Sequence, residues 1–399
     1  MINQRVENLV DILGERYLNI ENSFVLQNNK QLTKYLNLNN ITAWKSFQES
    51  GTETYRKVLI KMASQVATRT ANQIEKIMLL SYKTISPKNV IITENEILAK
   101  DLPKSFVNKI AKEKKIAIDQ IHTLAEAAYS SYVHNVKVIG RSKTVDTFYE
   151  KIFQQTKQGI EKGVAVNYRV KKGKYAGTVR KVSFKSYMEM NSRTTISNEI
   201  TKQQISAGAK TGLIFYMCDS FADCAKDHQK YQGKIYYNEK AKLSDEAREY
   251  IQSHNIMSMQ KAMDAPIYLT TRPNCRHAFH VLNTEKVIKN NTSGYKKTFT
   301  HGKFETNNYK LTQRQRANER LIRKYKLLKE NNNALYESTK EIKYKKAAAQ
   351  YEMLEAKWTK GNKELIASNK GLLKRNKWRE TTRAIVDDLG VKYDLNLEA

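Results

Sequence analysis

The residues able to carry site chemistry are concentrated in one stretch, residues 213–280. It holds all three cysteines, Cys218, Cys224 and Cys275, together with His228, His277, His280 and Asp227. Thiolate and imidazole are the donors that zinc takes in a tetrahedral shell. Cys218, Cys224 and His228 fall on the connection between two short apolar runs, LIFYM and KIYY, which read as strands. A third run, PIYLTTRPNCRHAFHVL, reads as another strand, on which Cys275 and His277 are two apart and share a face. The expected metal set is Cys218, Cys224, His228, Cys275 and His277, with zinc as the metal. Five residues separate Cys218 from Cys224, a wider gap than in most zinc knuckles, so reduced and packed cysteines beside backbone-bonded histidines form the competing reading. A third reading places Asp227, His228, Cys275, His277 and His280 in a metal-dependent nuclease, or pairs a thiol nucleophile with a histidine base. Neither HExxH nor GxSxG spacing occurs in the chain.

The elements that must position these residues are mostly helical. Residues 1–162 read as a helical region: Val58, Met62, Val66, Ala71 and Ile74 keep helical spacing, and Ile110, Ile116, Ile118, Ile121, Leu124 and Ala128 lie close to one face. Pro87 and Pro103 bracket a connector between two helical blocks. Residues 163–285 read as a central α+β domain. It opens with a basic strand pair over 163–185 and continues into one helix from Ser186 to Gly208, with Gly208 and Gly212 at its exit. Residues 286–310 are a polar linker. Residues 311–399 form a basic helical region, with a capping box at Thr312 and Gln315, a stop at Asn331, Asn332 and Asn333, and a final helix stop at Gly390. Between those stops a seam of Tyr344, Ala347, Tyr351, Leu354 and Trp358 marks a second helix. The expected fold class is predominantly α with a small central α+β domain and elongated helical N- and C-terminal regions.

Charge narrows the partners. Across 399 residues, 70 Lys and Arg against 40 Asp and Glu give a net charge of +30. Such an excess favours a densely anionic partner, and nucleic acid, whose counterions are released on binding, comes first. The expected phosphate-contacting residues are Arg169, Lys171, Lys172, Lys174, Arg180, Lys181 and Lys185 on the strand pair, with Tyr168 and Tyr175 among them, and Arg314, Arg316, Arg320, Arg323, Lys324, Lys326 and Lys329 on the following helix. A solvated basic face is the plainer reading of each run. The longest apolar stretch, LIFYMC, is far too short to span a bilayer, so no membrane is expected as a partner. The opening MINQRVENLV has no hydrophobic signal core, which points to synthesis in the cytosol. An odd number of cysteines argues against a disulfide framework.

The series CAKDHQKYQGKIYY followed by TRPNCRH, with LTQRQRANERLIRKYKLLKE and LLKRNKWRETTRAIVDDLGVKYDL further on, resembles the phage minor capsid protein 2 family, which is related to the Mu F-type head morphogenesis proteins. The resemblance covers about residues 186–399. Its cysteine and histidine pattern carries over onto Cys224, Asp227, His228, Cys275, Arg276 and His277, and it does not place Cys218. It implies a virion protein of few copies, made in a bacterial host, assembled with the portal and other capsid proteins, close to packaged double-stranded DNA and with no required enzymatic activity. The alternative to that reading is a zinc-stabilised nucleic-acid-binding protein or a metal-dependent nuclease.

Overall fold

The computed structural model describes residues 2–33, 41–85, 104–142, 144–169, 177–272, 275–289, 300–301 and 306–382. As the sequence predicts, the architecture is predominantly helical around a small α+β region. Four helices come first: α1 (Ile2–Thr33), α2 (Ile41–Ile85), α3 (Lys104–Gly140) and α4 (Val145–Lys162). A hairpin of β1 (Ala165–Arg169) and β2 (Val179–Ser183) leads directly into α5 (Phe184–Lys210). The connector between Pro87 and Pro103, the hairpin tip with Lys171, Lys172, Lys174 and Tyr175, and Gly390 lie outside the described residues.

Apolar side chains three and four apart explain the helical body. On α3, Phe106, Ile110, Ala117, Ile121, Leu124, Ala128, Tyr132 and Val136 are all buried. They meet the buried row Tyr55, Leu59, Met62 and Val66 of α2. Contacts of Tyr55 with Tyr132 (ring centroids 4.4 Å) and of Glu75 with Lys114 set the two helices antiparallel. The hub is α1. Its Leu13, Tyr17, Ile20 and Phe24 are buried, and so are Asn19, Asn22, Gln27, Asn28, Asn29 and Gln31. Asn28 and Asn29 bond to neighbouring helices: Asn28 donates to the Ala128 carbonyl at 2.9 Å and accepts from the Tyr55 hydroxyl at 2.7 Å, and Asn29 donates to the Thr156 carbonyl at 3.4 Å.

The central region follows α5. In chain order it contains β3 (Phe215–Cys218), β4 (Ser220–Phe221), β5 (Ile235–Tyr237), α6 (Asp245–Ser253), β6 (Met257–Ser258), α7 (Met259–Met263), β7 (Phe279–Val281), α8 (Thr284–Lys289) and β8 (Thr300–His301). Four strands make one sheet in the order β6-β5-β3-β7, with β3 antiparallel to both neighbours. Alternation along β3 sends Phe215 and Met217 to one face, against Tyr250, Leu282 and Val287, and Tyr216 and Cys218 to the other, against Tyr236, Leu269 and Phe279. Edge strand β7 gives two N–H groups to α5 side chains, Phe279 to Thr201 and Val281 to Gln204, so α5 covers that edge. Gly208 lets α5 approach the sheet closely: a Cβ there would stand 2.1 Å from the Tyr216 hydroxyl. Gly212, at φ +69°, makes the turn that ends the helix.

The sequence and the structure part in four places. The run 266–282 is not one strand; only Phe279–Val281 is, and Cys275 and His277 lie on irregular chain ahead of it. Thr312 caps nothing, because α9 (Thr306–Thr339) starts earlier and the Thr312 hydroxyl bonds back to Tyr309 O inside the helix. The expected linker 286–310 holds the end of α8, strand β8 and the start of α9. The three asparagines do not stop α9: Asn331 donates to the Thr156 hydroxyl at 3.1 Å and Asn332 to the Leu328 carbonyl at 2.7 Å. After α9 come α10 (Ile342–Ala367) and a single 3-10 turn, Lys377–Glu380. Tyr344 is buried and Tyr351 stacks on Tyr325, while Ala347, Leu354 and Trp358 of the expected seam are half-buried. Leu327, Leu328, Leu335 and Tyr344 join the same core as α1 to α5. The β1–β2 hairpin also rests on that core through Val166.

Candidate metal centre

Two irregular segments build the site. One runs from β4 to β5 as successive tight turns, in which the Cys224 amide donates to Phe221 O, that of His228 to Ala225 O, and that of Gln232 back to His228 O. The other runs from α7 to β7, where Arg272 N–H donates to Tyr268 O and Cys275 N–H to Arg272 O. Asp219 joins them. Its backbone N–H donates to Ala278 O, its carboxylate accepts from Ala278 N–H at 2.9 Å, and its other oxygen pairs with His280 Nε2 at 2.9 Å. His280 is thereby committed to a structural pair rather than to the cluster.

His228, Cys275 and His277 come together, all buried, with one donor atom of each within 4.8 Å of the others. Cys275 Sγ stands 3.6 Å from His228 Nδ1 and 3.2 Å from His277 Nδ1. The outer ring nitrogens fix the tautomers. His228 Nε2 faces the Ile267 carbonyl at 2.9 Å, and a carbonyl can only accept, so Nε2 carries the proton. His277 Nε2 faces Gln232 Oε1 at 3.1 Å. That amide is oriented in turn by Phe221, whose N–H donates to Oε1 while Gln232 Nε2 donates to its carbonyl. Both Nδ1 lone pairs consequently point at one sulfur, whose single thiol proton can satisfy only one of them. A cation satisfies all three donors. With Zn–S of about 2.3 Å and Zn–N of about 2.0 Å, a tetrahedral S···N edge is about 3.5 Å, close to both separations. Outer partners such as Gln232 and the Ile267 carbonyl are the kind that orient metal-bound imidazoles.

Burial sets the protonation of the cluster. It pushes the Cys275 thiol up to about 11, with the histidine and arginine neighbours pulling the other way, and holds His277 down at about 3 and His228 below its ordinary value. The donors are neutral before any metal binds, and capture of a cation by Cys275 expels a proton.

The remaining residues expected here divide clearly. Cys224 is buried and lines the same cleft of about 360 Å³, although its thiol donates to Ala225 O at 3.1 Å. Cys218 is fully buried in the sheet core beside Tyr216 and Phe279, outside the three-donor group. Asp227 is exposed and paired with Arg272. Of the expected phosphate contacts, Arg169, Arg180, Lys181, Arg314 and Arg320 are exposed. Lys185 pairs with Glu189, Lys324 with Glu161 at 3.0 Å, and Lys329 with Glu355 at 2.8 Å. Arg323 and Lys326 bond to the Arg379 and Glu380 carbonyls, and Arg316 reaches into the cleft beside Arg193. Sequence reasoning passed over Gln232, whose residue type carries no metal signal, and Asp219, whose carboxylate serves His280 and the Ala278 N–H instead of the cluster; only their closeness to the histidines, once folded, reveals them.

Comparison with known proteins gives one match. The sequence model of a family described as phage minor capsid protein 2 matches residues 2–357. No curated protein and no solved structure matches the chain.

Proposed function

The chain belongs to the phage minor capsid protein 2 family, and on that premise we propose that it is a low-copy structural component of the phage head, acting in head morphogenesis at the portal. The observation that carries this reading is the extent of the match, residues 2–357, which takes in the helical body and the central sheet alike. Docking would use the helical surface, and no catalytic step is needed for it. A net charge of +30 and the exposed Arg169, Arg180, Lys181, Arg314 and Arg320 support non-specific contact with packaged DNA. Quantitative mass spectrometry of purified particles should find a few copies of the chain per head; its absence from finished particles would overturn the reading. For the DNA contact, a log–log plot of affinity against salt should slope at about −4.5 if roughly five phosphates are neutralised, and a flat plot removes that part alone.

Within this role, His228, Cys275 and His277 would hold a zinc ion, with Cys224 as the donor available in the same cleft. The metal would supply a cross-link between the turns before β5 and the chain before β7, a structural use rather than a catalytic one. A nuclease gains less support, because Asp227, the acid nearest in sequence, is exposed and bound to Arg272. Metal analysis of the purified chain, paired with a thermal melt before and after chelation, tests the staple. One zinc per chain and a large loss of stability on chelation are expected; no metal and no shift would return the cluster to ordinary packing.

A further inference from the structure

Two clefts meet where α5 and α9 run beside the cluster. One, of about 360 Å³, has the Cys and His donors on its wall, and the other, of about 180 Å³, continues between α5 and α9 to the 3-10 turn. Arg193, Gln313 and Arg316 line both, so the two form one groove. Its cations outnumber its carboxylates. The second cleft alone presents Lys185, Arg193, Arg316, Arg320, Arg323 and Arg379 against Glu189 and Glu319. Glu189 is shared among Lys185, Arg193 and Arg379. Glu319 accepts from Gln315 at 2.9 Å, and in the first cleft Asp223 is taken by Arg276. Among the described residues no carboxylate lies within ion-pairing distance of Arg316, the cation at the junction. Glu189 and Glu319 act on it only at longer range, while Arg193 and Arg379 repel it; a desolvated guanidinium so crowded by cations is costly, and a bound anion offsets that cost. Guanidinium forks match the oxygens of a phosphate two at a time.

We propose that this groove is a phosphate-binding site centred on Arg316, with Arg193 and Gln313 beside it. The inference does not rest on the head-protein reading, and of the exposed basic residues only Arg320 lines the groove: it holds for a free phosphate compound as for the backbone of DNA.

The test uses the full chain and inorganic phosphate. Thermal melts in phosphate are compared with melts in sodium chloride of matched ionic strength, and phosphate should raise Tm beyond chloride. Arg316→Gln should weaken phosphate at least about tenfold, the loss expected for charge-assisted hydrogen bonds. Gln313→Glu keeps every buried apolar contact and offers Arg316 a carboxylate, so it should fold normally and lose the phosphate response. Lys181→Gln, on the exposed hairpin, should keep that response while lowering DNA affinity, which separates this site from the general DNA contact. If a short DNA duplex competes with phosphate, the ligand is a backbone phosphate; if phosphate binds without competition, it is a free phosphate compound. No Tm rise over chloride, or a rise retained in both Arg316→Gln and Gln313→Glu, overturns the proposal.

Discussion

Replacing Gln232 by leucine removes the acceptor of His277 Nε2 and, with it, the partner of the Phe221 N–H. With its outer nitrogen unanchored, His277 should lose its fixed tautomer, and metal affinity should fall about 10- to 100-fold, as measured by competition with a chromophoric chelator. The cysteines should separate in the same assay. Cys275→Ser should abolish metal binding, whereas Cys218→Ala should keep the metal stoichiometry and instead lower stability through a small core void, by about 1–2 kcal/mol in chemical denaturation. Loss of metal in Cys218→Ala would mean that the strand sulfur reaches the cluster after all. At this scale the sequence was partly legible. Residue type and the closeness of Cys275 to His277 pointed to the stretch in which His228, Cys275 and His277 come together, but type could not tell Cys218 from Cys275. What distinguishes them is position in the fold: Cys218 sits on β3 within the sheet core, whereas Cys275 sits on the irregular chain ahead of β7, beside His228 and His277.

Helix α5 and the sheet meet at Gly208, and there backbone and side chain leave no room: a Cβ would lie 2.1 Å from Tyr216 Oη and 3.0 Å from Val281 Cγ2. Gly208→Ala should therefore destabilise by about 1–3 kcal/mol despite the better helix propensity of alanine. Tyr216→Phe should relieve part of that loss, and a double-mutant cycle measures how much. Gly361 in α10 is the control, since a Cβ there meets nothing within 4 Å. Gly361→Ala should stabilise by about 0.5–1 kcal/mol. Elements were legible where burial is apolar. Periodicity located α3 because its buried face is Phe, Ile, Leu and Ala. It failed at Asn331 and Asn332, which read as a helix stop in isolation but here are buried, with side chains bonded to Thr156 and to the preceding turn of α9. Helix α1 was read correctly as helical, but an apolar count misses much of its buried face, which includes Asn19, Asn22, Gln27, Asn28, Asn29 and Gln31.

Across the whole molecule, Glu189 of α5 ties distant parts together, meeting Lys185, Arg193 and Arg379, while Arg379 also holds Asp11 of α1 at 2.9 Å. Burial alone would raise its pKa, yet these three cations hold it well below the usual carboxylate range. A carboxyl depressed in the folded state contributes stability that is present above the unfolded value, about 4.5, and is lost as pH falls below it toward the folded value. Glu189→Gln should cost about 3–5 kcal/mol at neutral pH because it strands buried cations. The Tm gap between wild type and Glu189→Gln should narrow steadily below about pH 4.5; a constant gap would assign the loss to packing. Arg379 and its neighbours have a further consequence. The 3-10 turn places Trp378 against Gly14, and Thr381 O accepts from Asn22 at 3.4 Å. On the ribosome, α1 emerges first but finds these partners only after residue 381 has been made. Asn28 and Asn29 meet α2, α3 and α4 well before that, but Asp11, Gly14 and Asn22 stay uncovered on this side, so the seam between α1 and the 3-10 turn must close last. The shortest time before that seam can close is set by translation rather than by folding.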